Sequence, residues 1–110
     1  MKILKQRGYI VVFIGSVNSE ESRKISRALL ERRQAGCVTT MPGGHSEFWW
    51  RDKLESAETE LLVVKTKESL LQQIIDTVKE FSSDEVPEVI ALPIAGGNRD
   101  YLDWLNSETA

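Results

Sequence analysis

Two prolines, Pro87 and Pro93, enclose an apolar run near the C-terminal end of the chain, Val89-Ile90-Ala91-Leu92. Proline has no backbone N–H to donate to a β-ladder, so such a run is typical of a short strand with an edge or a bend at each end. Glu88 stands where the run begins, and a carboxylate there has no use in the packing of the strand. We therefore expect a strand within residues 85–94, with Glu88 either solvated or part of a site.

Length and composition describe an ordinary globular chain, which we take as one domain over residues 1–110. The hydrophobic and charged fractions, 41% and 28%, exclude disordered and membrane classes. The net charge of −3 with scattered basic residues argues against a nucleic-acid surface. The only cysteine, Cys37, excludes an intramolecular disulfide and favours a reducing compartment. Lys2, Lys5 and Arg7 before an apolar run imitate a leader peptide, but that run is short and β-branched, so we expect a strand and a cytoplasmic protein.

Hydrophobic periodicity divides the chain into alternating strands and helices. The predicted elements are a strand over 9–15, a helix that Asn18 caps and that Gly36 ends as a left-handed residue, a strand over 37–50 bent at 42–44, a reversal at 51–53, a strand over 54–65, a helix that Thr66 caps, a strand within 85–94 and a short C-terminal helix. This β-α-β-β-α-β order predicts an α+β, ferredoxin-like split βαβ domain with two helices on one face of an antiparallel sheet. The strands are too apolar for the other face to meet water, so we expect a partner to cover it.

Several ordered blocks resemble the CutA family of divalent-cation tolerance proteins over nearly the whole chain. They are Ser19-Glu20-Glu21, Ala35-Gly36-Cys37-Val38, Pro42-Gly43, Trp49-Trp50 with Lys53, Leu62-Val63-Val64-Lys65-Thr66, the stretch from Glu85 to Ile94, and Tyr101-Leu102-Asp103-Trp104-Leu105. The resemblance implies a tight homotrimer, similar in architecture to the trimeric PII signal proteins, with a link to tolerance of copper and other divalent metals and no secure catalytic activity. The long hairpin around residues 50–53, whose edges would otherwise stay unpaired, independently favours an obligate trimer.

The sequence departs from the family where metal binding matters. Some members carry histidine just before the Glu-x-Pro-Glu block, a proposed copper ligand, whereas this chain has Phe81-Ser82-Ser83-Asp84. Another proposed ligand is a cysteine at the end of the first strand, where this chain has Gly15. Cys37 and His45 remain as candidate metal ligands, with structural roles as the alternative, so we expect any copper binding to be weak.

A second candidate site is a cleft between subunits, to which we assign Trp50, Glu60, Lys65, Glu85 and Glu88. A small metabolite or anion bound there would make the protein a PII-like sensor, while an ion pair of Lys65 with Glu88 would only lock subunits together. A hydrolase that uses the cleft carboxylates is a further alternative. No dinucleotide or Walker fingerprint is present, and the aromatic residues 48–50 lie in an acidic hairpin that would repel RNA.

Overall fold

The computed structural model describes residues 8–110. The elements are β1 (Tyr9–Ser16), α1 (Ser19–Glu31), β2 (Cys37–Trp50), β3 (Lys53–Lys67), α2 (Leu71–Phe81), β4 (Val89–Pro93) and α3 (Arg99–Glu108). This is the expected β-α-β-β-α-β order with a C-terminal helix, so the predicted α+β class is confirmed. The basic residues Lys2, Lys5 and Arg7, on which the leader argument depended, lie outside the described residues.

The four strands form one antiparallel sheet in the order β2-β3-β1-β4. The central strands are therefore β1 and β3, and the proline-enclosed strand β4 lies at an edge, where proline is tolerated. Val12 is paired with Val64 on one side and with Ala91 on the other. Such cross-strand partners lie on the same face, so alternate residues of each strand belong to opposite faces of the sheet.

The core lies on the face that α1 and α2 cover. It joins strand residues such as Val12 and Val64 to Ile25 and Leu29 of α1 and to Ile74 of α2. These side chains are essentially inaccessible to water. The helical periodicity of both segments follows from this burial, because each helix turns one apolar stripe towards the sheet.

The opposite face of the sheet is apolar and largely uncovered, and we call it the open face. Phe13 in β1 is paired with Val63 in β3 and with Ile90 in β4, so the three side chains lie side by side there. Ile90 is 54% exposed and Leu92, two residues along β4, is 49% exposed. Apolar side chains that are this exposed on one face of a sheet are typical of a protein–protein interface.

The hairpin of β2 and β3 extends far beyond the part of the sheet that β1 pairs with. A bulge at Pro42-Gly43-Gly44 shifts its register between Met41 and Gly44, as the sequence predicts. A β-carbon at Gly44 would come within 2.6 Å of the Thr59 carbonyl oxygen, which explains the glycine. Arg51 and Asp52 close the hairpin with positive φ angles of 51° and 63°, the pattern of a type I′ turn.

Two local predictions were wrong. Thr66 does not cap a helix: it lies within β3, fully buried, and its hydroxyl donates to the Gln34 carbonyl oxygen at 2.5 Å. Gly36 does not end α1 with a left-handed residue; that role falls to Arg33, with a φ of 57°. A side chain at Gly36 would instead collide with Leu105 of α3. In both cases packing between distant elements, rather than local chemistry, selects the residue.

Candidate functional site

A cavity of about 550 Å³ opens where three segments meet, and we call it the acidic pocket. Its walls come from the end of β1, from the outer half of the β2–β3 hairpin and from the loop that joins α2 to β4. The hairpin reaches this loop because the bulge at Gly44 bends and twists it. The pocket therefore depends on the same glycines that shape the hairpin.

Five acidic residues line the acidic pocket, namely Glu47, Glu58, Asp84, Glu85 and Glu88. The β2–β3 register puts Glu47 and Glu58 on the hairpin face opposite Phe48 and Trp50, so the charge of the pocket depends on Asp84, Glu85 and Glu88. Within residues 8–110, no lysine, arginine or histidine is among those that line it. Charges of one sign in a concave site add their fields, so the pocket attracts cations and repels anions.

Arg51, at the tip of the hairpin, binds at the rim of the pocket. Its Nη2 lies 2.8 Å and 3.1 Å from the two carboxylate oxygens of Glu85. Its guanidinium carbon lies 5.2 Å from the centre of the Trp50 ring. Carboxylate and aromatic face together therefore hold one cationic group, in the geometry of a cation–π contact.

Glu88 lies directly beside β1. Its carbonyl oxygen accepts a hydrogen bond from the Gly15 N–H at 3.2 Å, which continues the β1–β4 ladder by one residue. A β-carbon at Gly15 would come within 3.3 Å of the Glu88 carboxylate. Glycine at this position is what allows the carboxylate to reach the pocket wall.

Glu60, which the sequence also assigned to the cleft, has a structural environment. Its carboxylate accepts hydrogen bonds from the hydroxyls of Ser19 and Ser22, both at 2.7 Å. These bonds, aided by nearby Arg23, lower the pKa of Glu60 below its ordinary value. Glu60 thus fastens β3 to the first turn of α1 and does not line the pocket.

The loop between α2 and β4 contacts Glu21 and brings Asp84 within range of its negative charge. Glu21, at the start of α1, is buried and accepts hydrogen bonds from the backbone N–H and the hydroxyl of Ser83. Burial, and then the negative charge of Glu21, raise the pKa of Asp84. The α2–β4 loop is therefore held to α1 by hydrogen bonds, and in this position the ionised form of Asp84 is disfavoured.

Asp84→Asn is expected to stabilise the fold at neutral pH, by about 0.5 kcal/mol because the group is mostly exposed. The folded-state pKa of Asp84 is raised, so its contribution to stability is present at low pH and is lost as pH rises through that pKa. The difference in stability between the variant and the wild-type protein should therefore vanish at about pH 3, where Asp84 is protonated in both the folded and the unfolded state. Denaturant unfolding at a series of pH values measures this.

Glu80→Gln provides the control with the opposite sign. The guanidinium of Arg32 donates hydrogen bonds to Glu80 and lowers the pKa of that carboxyl. This variant should be less stable than the wild-type protein at neutral pH, and the difference should disappear as pH falls through the lowered pKa. An Asp84→Asn variant that loses stability at neutral pH would contradict the argument.

The other predicted site residues lie elsewhere. Lys65 stands on the open face opposite Val11, whereas Glu88 is bonded to Gly15, four residues further along β1 and therefore about 13 Å away. Lys65 and Glu88 do not meet within one subunit. The structure therefore brings together Trp50, Glu85 and Glu88 and leaves Lys65 and Glu60 outside the pocket.

The chain is similar to known proteins along almost its whole described length. Residues 10–108 match the family model described as CutA1 divalent ion tolerance protein. The chain belongs to the CutA1 family. A chloroplastic CutA 1 protein from Oryza sativa is 42% identical over 100 residues, which are 91% of this chain and 56% of that protein. A divalent-cation tolerance protein CutA from Thermus thermophilus is 41% identical over 99 residues, 90% of this chain and 96% of that protein.

Solved CutA1 structures share the fold. The crystal structure of CutA1 from Oryza sativa superimposes with a TM-score of 0.91 at 40% identity and covers 94% of this chain and 95% of that one. The Cut A1 structure from Thermus thermophilus gives the same TM-score and identity, with 93% and 99% coverage. The chain spans about half the length of two plant CutA proteins that it matches, 56% of the one from Oryza sativa and 55% of the one from Arabidopsis thaliana. In the part of the chain that the structure describes, no helix is long and apolar enough to cross a membrane.

The CutA name suggests a role for a metal ion, but one subunit offers few side chains that could coordinate it. Cys37 and His45 lie eight residues apart along β2, roughly 25 Å, so they cannot share one ion within a subunit. His45 Nδ1 lies 3.1 Å from Glu58 Oε1, which gives one imidazole and one carboxylate. Cys37 is half-buried beside Tyr101 of α3, whose pKa is raised by burial and then by Cys37. Among residues 8–110, no three His, Cys, Asp or Glu side chains are grouped to hold a metal ion.

Some pocket residues were not assigned to the cleft from the sequence, namely Glu47, Phe48 and Asp84. Glu58 is one of the carboxylates for which the sequence allows convergence at that cleft, with Glu60, Glu85 and Glu88. Asp84 adjoins Glu85 in the sequence, and this adjacency was the available indication. Glu47 and Phe48 enter the pocket only because the hairpin bends back over the α2–β4 loop, which local sequence does not reveal.

Proposed function

We propose that this protein is a homotrimeric, non-enzymatic CutA protein that acts in the response to divalent metal ions. The open face carries the proposal, because Phe13, Val63, Ile90 and Leu92 form a continuous apolar surface on strands whose other face is the core. Two further copies of the chain would remove this surface from water, and an obligate interface of this kind buries more than about 2,000 Å². We treat residues 1–110 as the one domain that assembles, and we place it in the cytoplasm because it has a single cysteine.

The hairpin supports the same assembly. Trp49 is 73% exposed and Leu54, opposite it on β3, is also largely exposed. A long two-stranded ribbon with such side chains is marginal in water by itself. Backbone pairing with a neighbouring subunit would satisfy its edges and bury the exposed Trp49 ring.

The absence of catalysis is supported by the placement of the reactive groups. The single cysteine and the single histidine stand at distant points of β2, so a Cys–His nucleophile and base would not come within hydrogen-bond reach inside one subunit. The hydrolase alternative would have to use the pocket carboxylates, and there the Arg51 guanidinium already binds Glu85.

A second candidate function, a PII-like small-ligand sensor, is favoured by one observation. The acidic pocket has the volume of a small-molecule site, and Phe48, Trp50 and Val86 give part of its wall an apolar character. The anion that we assigned to the cleft from the sequence is disfavoured there, because every charged residue that lines the pocket is acidic. A ligand bound beside the hairpin would change the hairpin's position and thus the subunit contacts.

Copper titration by calorimetry tests the metal-related proposal. We expect the chelator-stripped protein to bind Cu²⁺ with a dissociation constant of roughly micromolar or weaker, since one imidazole and one carboxylate are a thin donor set. His45→Ala should reduce this binding at least about tenfold, and lowering the pH should weaken it because protons compete for the imidazole.

Cys37→Ala is the matched control and should leave Cu²⁺ binding nearly unchanged, because the thiol is half-buried beside α3. Tight copper binding that survives both His45→Ala and Cys37→Ala would show that the ligands lie elsewhere. No copper binding by the wild-type protein would exclude direct metal binding as its route to metal tolerance.

A further inference from the structure

We propose that the acidic pocket binds a small organic cation, a compound that carries an ammonium or guanidinium group on a short alkyl chain. The inference rests on the second candidate function, ligand sensing at this pocket, and is independent of the metal-related one. It names the chemical class of the ligand. Three separate properties of the pocket lead to this class: its charge, its aromatic wall and its size.

The charge of the pocket selects a cation. Its charge comes from Asp84, Glu85 and Glu88 in the segment between α2 and β4, and the Arg51 guanidinium pairs with Glu85. Asp84 and Glu88 have no arginine or lysine partner among the residues that line the pocket. Burial and the neighbouring Glu21 already raise the pKa of Asp84, so a positive ligand would relieve an existing repulsion.

The aromatic wall selects an organic cation, independently of the acidic charge. Phe48 and Trp50 line the pocket. The protein's own guanidinium already uses this wall, because Arg51 lies over the Trp50 ring at 5.2 Å while it donates hydrogen bonds to Glu85. A planar or alkylated cation with a weak hydration shell interacts favourably with a ring face, whereas a strongly hydrated metal ion does not.

The size of the site also argues against a bare ion. A calcium or magnesium ion needs about six oxygen ligands within roughly 2.0–2.6 Å of one point. The pocket instead has a volume of about 550 Å³, and in the described part of the chain no three His, Cys, Asp or Glu side chains are grouped for a metal. An alkyl ammonium or guanidinium compound fills such a space, because its carbon chain can contact Phe48 and Val86 while its charged end meets a carboxylate.

Isothermal titration calorimetry with four compounds of similar length tests this proposal on the whole chain. Agmatine (a guanidinium and an ammonium group) and putrescine (two ammonium groups) are the cationic probes. 1,4-Butanediol is the uncharged control and succinate the anionic one. We expect both cations to bind, with an affinity that falls as salt is added, and we expect no binding of the diol or of succinate.

Variants locate the binding. Trp50→Leu and Glu88→Gln should each weaken agmatine binding roughly 3- to 30-fold, the range of a cation–π or partly exposed charge contact. Glu31→Gln, which removes an exposed carboxylate of α1 far from the pocket, should leave it unchanged. Arg51→Gln should strengthen agmatine binding, because it removes the guanidinium that competes for Trp50 and Glu85.

The possible results test the cationic class of the ligand and ligand sensing at the pocket separately. Binding of succinate without binding of either cation would overturn the cationic class and leave ligand sensing standing. Equal losses of affinity in Trp50→Leu and Glu31→Gln would place the cations outside the pocket and overturn the proposal. No binding of any probe would overturn both the cationic class and sensing at this pocket, while copper binding and trimer formation would be unaffected. Circular dichroism of each variant shows whether it is folded.

Discussion

Ile90→Asp is expected to prevent assembly of the proposed trimer. Ile90 is half-exposed in the subunit, on the edge strand β4, so a carboxylate there meets water in the monomer and costs the subunit little. In an assembly that covers the open face, the same carboxylate would be buried beside Phe13 without a partner, at a cost of several kcal/mol for each subunit. Size-exclusion chromatography with light scattering at micromolar concentration measures the mass.

Leu30→Asp is the matched control for assembly. Leu30 is 39% exposed on α1, on the helical side of the subunit, and should tolerate aspartate without a change of mass. Circular dichroism shows whether the Ile90→Asp subunit keeps its helices. A wild-type protein that is monomeric, or an Ile90→Asp variant that remains trimeric, would refute the assignment of the open face to subunit contact.

Leu62→Ala is expected to have the largest effect on the stability of the subunit itself, a loss of about 2–5 kcal/mol. Leu62 lies on the central strand β3, is fully buried and packs in the core formed by the sheet and the two helices. The substitution removes apolar contacts and leaves a cavity that close-packed neighbours cannot fill. Guanidinium unfolding measures the loss.

Leu30→Ala is the control for this substitution and should cost less than about 1 kcal/mol, because the side chain is already partly in water and alanine favours a helix. All proteins must be compared at one subunit concentration, since the stability of an oligomer depends on it. A Leu62→Ala variant as stable as Leu30→Ala would mean that the core is not where the described sheet and helices place it.

Elements with strong periodicity were predictable from the sequence. The stripe of Ile74 and Val78 in α2 and the bend at Pro42-Gly43-Gly44 correspond to observed features. Each depends on residues close in the chain, where period and turn chemistry suffice. Thr66 and Gly36 were misread for the complementary reason, because their roles are contacts with Gln34 and Leu105, which lie 32 and 69 positions away.

The candidate site was predictable only in part. Trp50, Glu85 and Glu88 were assigned to a cleft between subunits, and the structure places them around a pocket within one subunit. Lys65 was grouped with them because it ends the apolar run of β3. The strand register decides otherwise, since it places Lys65 at the level of Val11 and Glu88 at the level of Gly15. The composition of a strand does not reveal its register. A shift of four residues moves a side chain by about 13 Å, which is much more than the length of a hydrogen bond.

The sequence by itself determined the element order, the buried stripes of the helices and the apolar character of both faces of the sheet. These properties depend on local period and on the transfer of apolar side chains from water, which each segment carries with it. Only the tertiary structure decided that the hairpin bends over the α2–β4 loop and that Arg51 binds Glu85 above Trp50. The charge and volume of the acidic pocket come from that encounter between segments over 30 residues apart, so the pocket exists only once the register and the bulge are fixed.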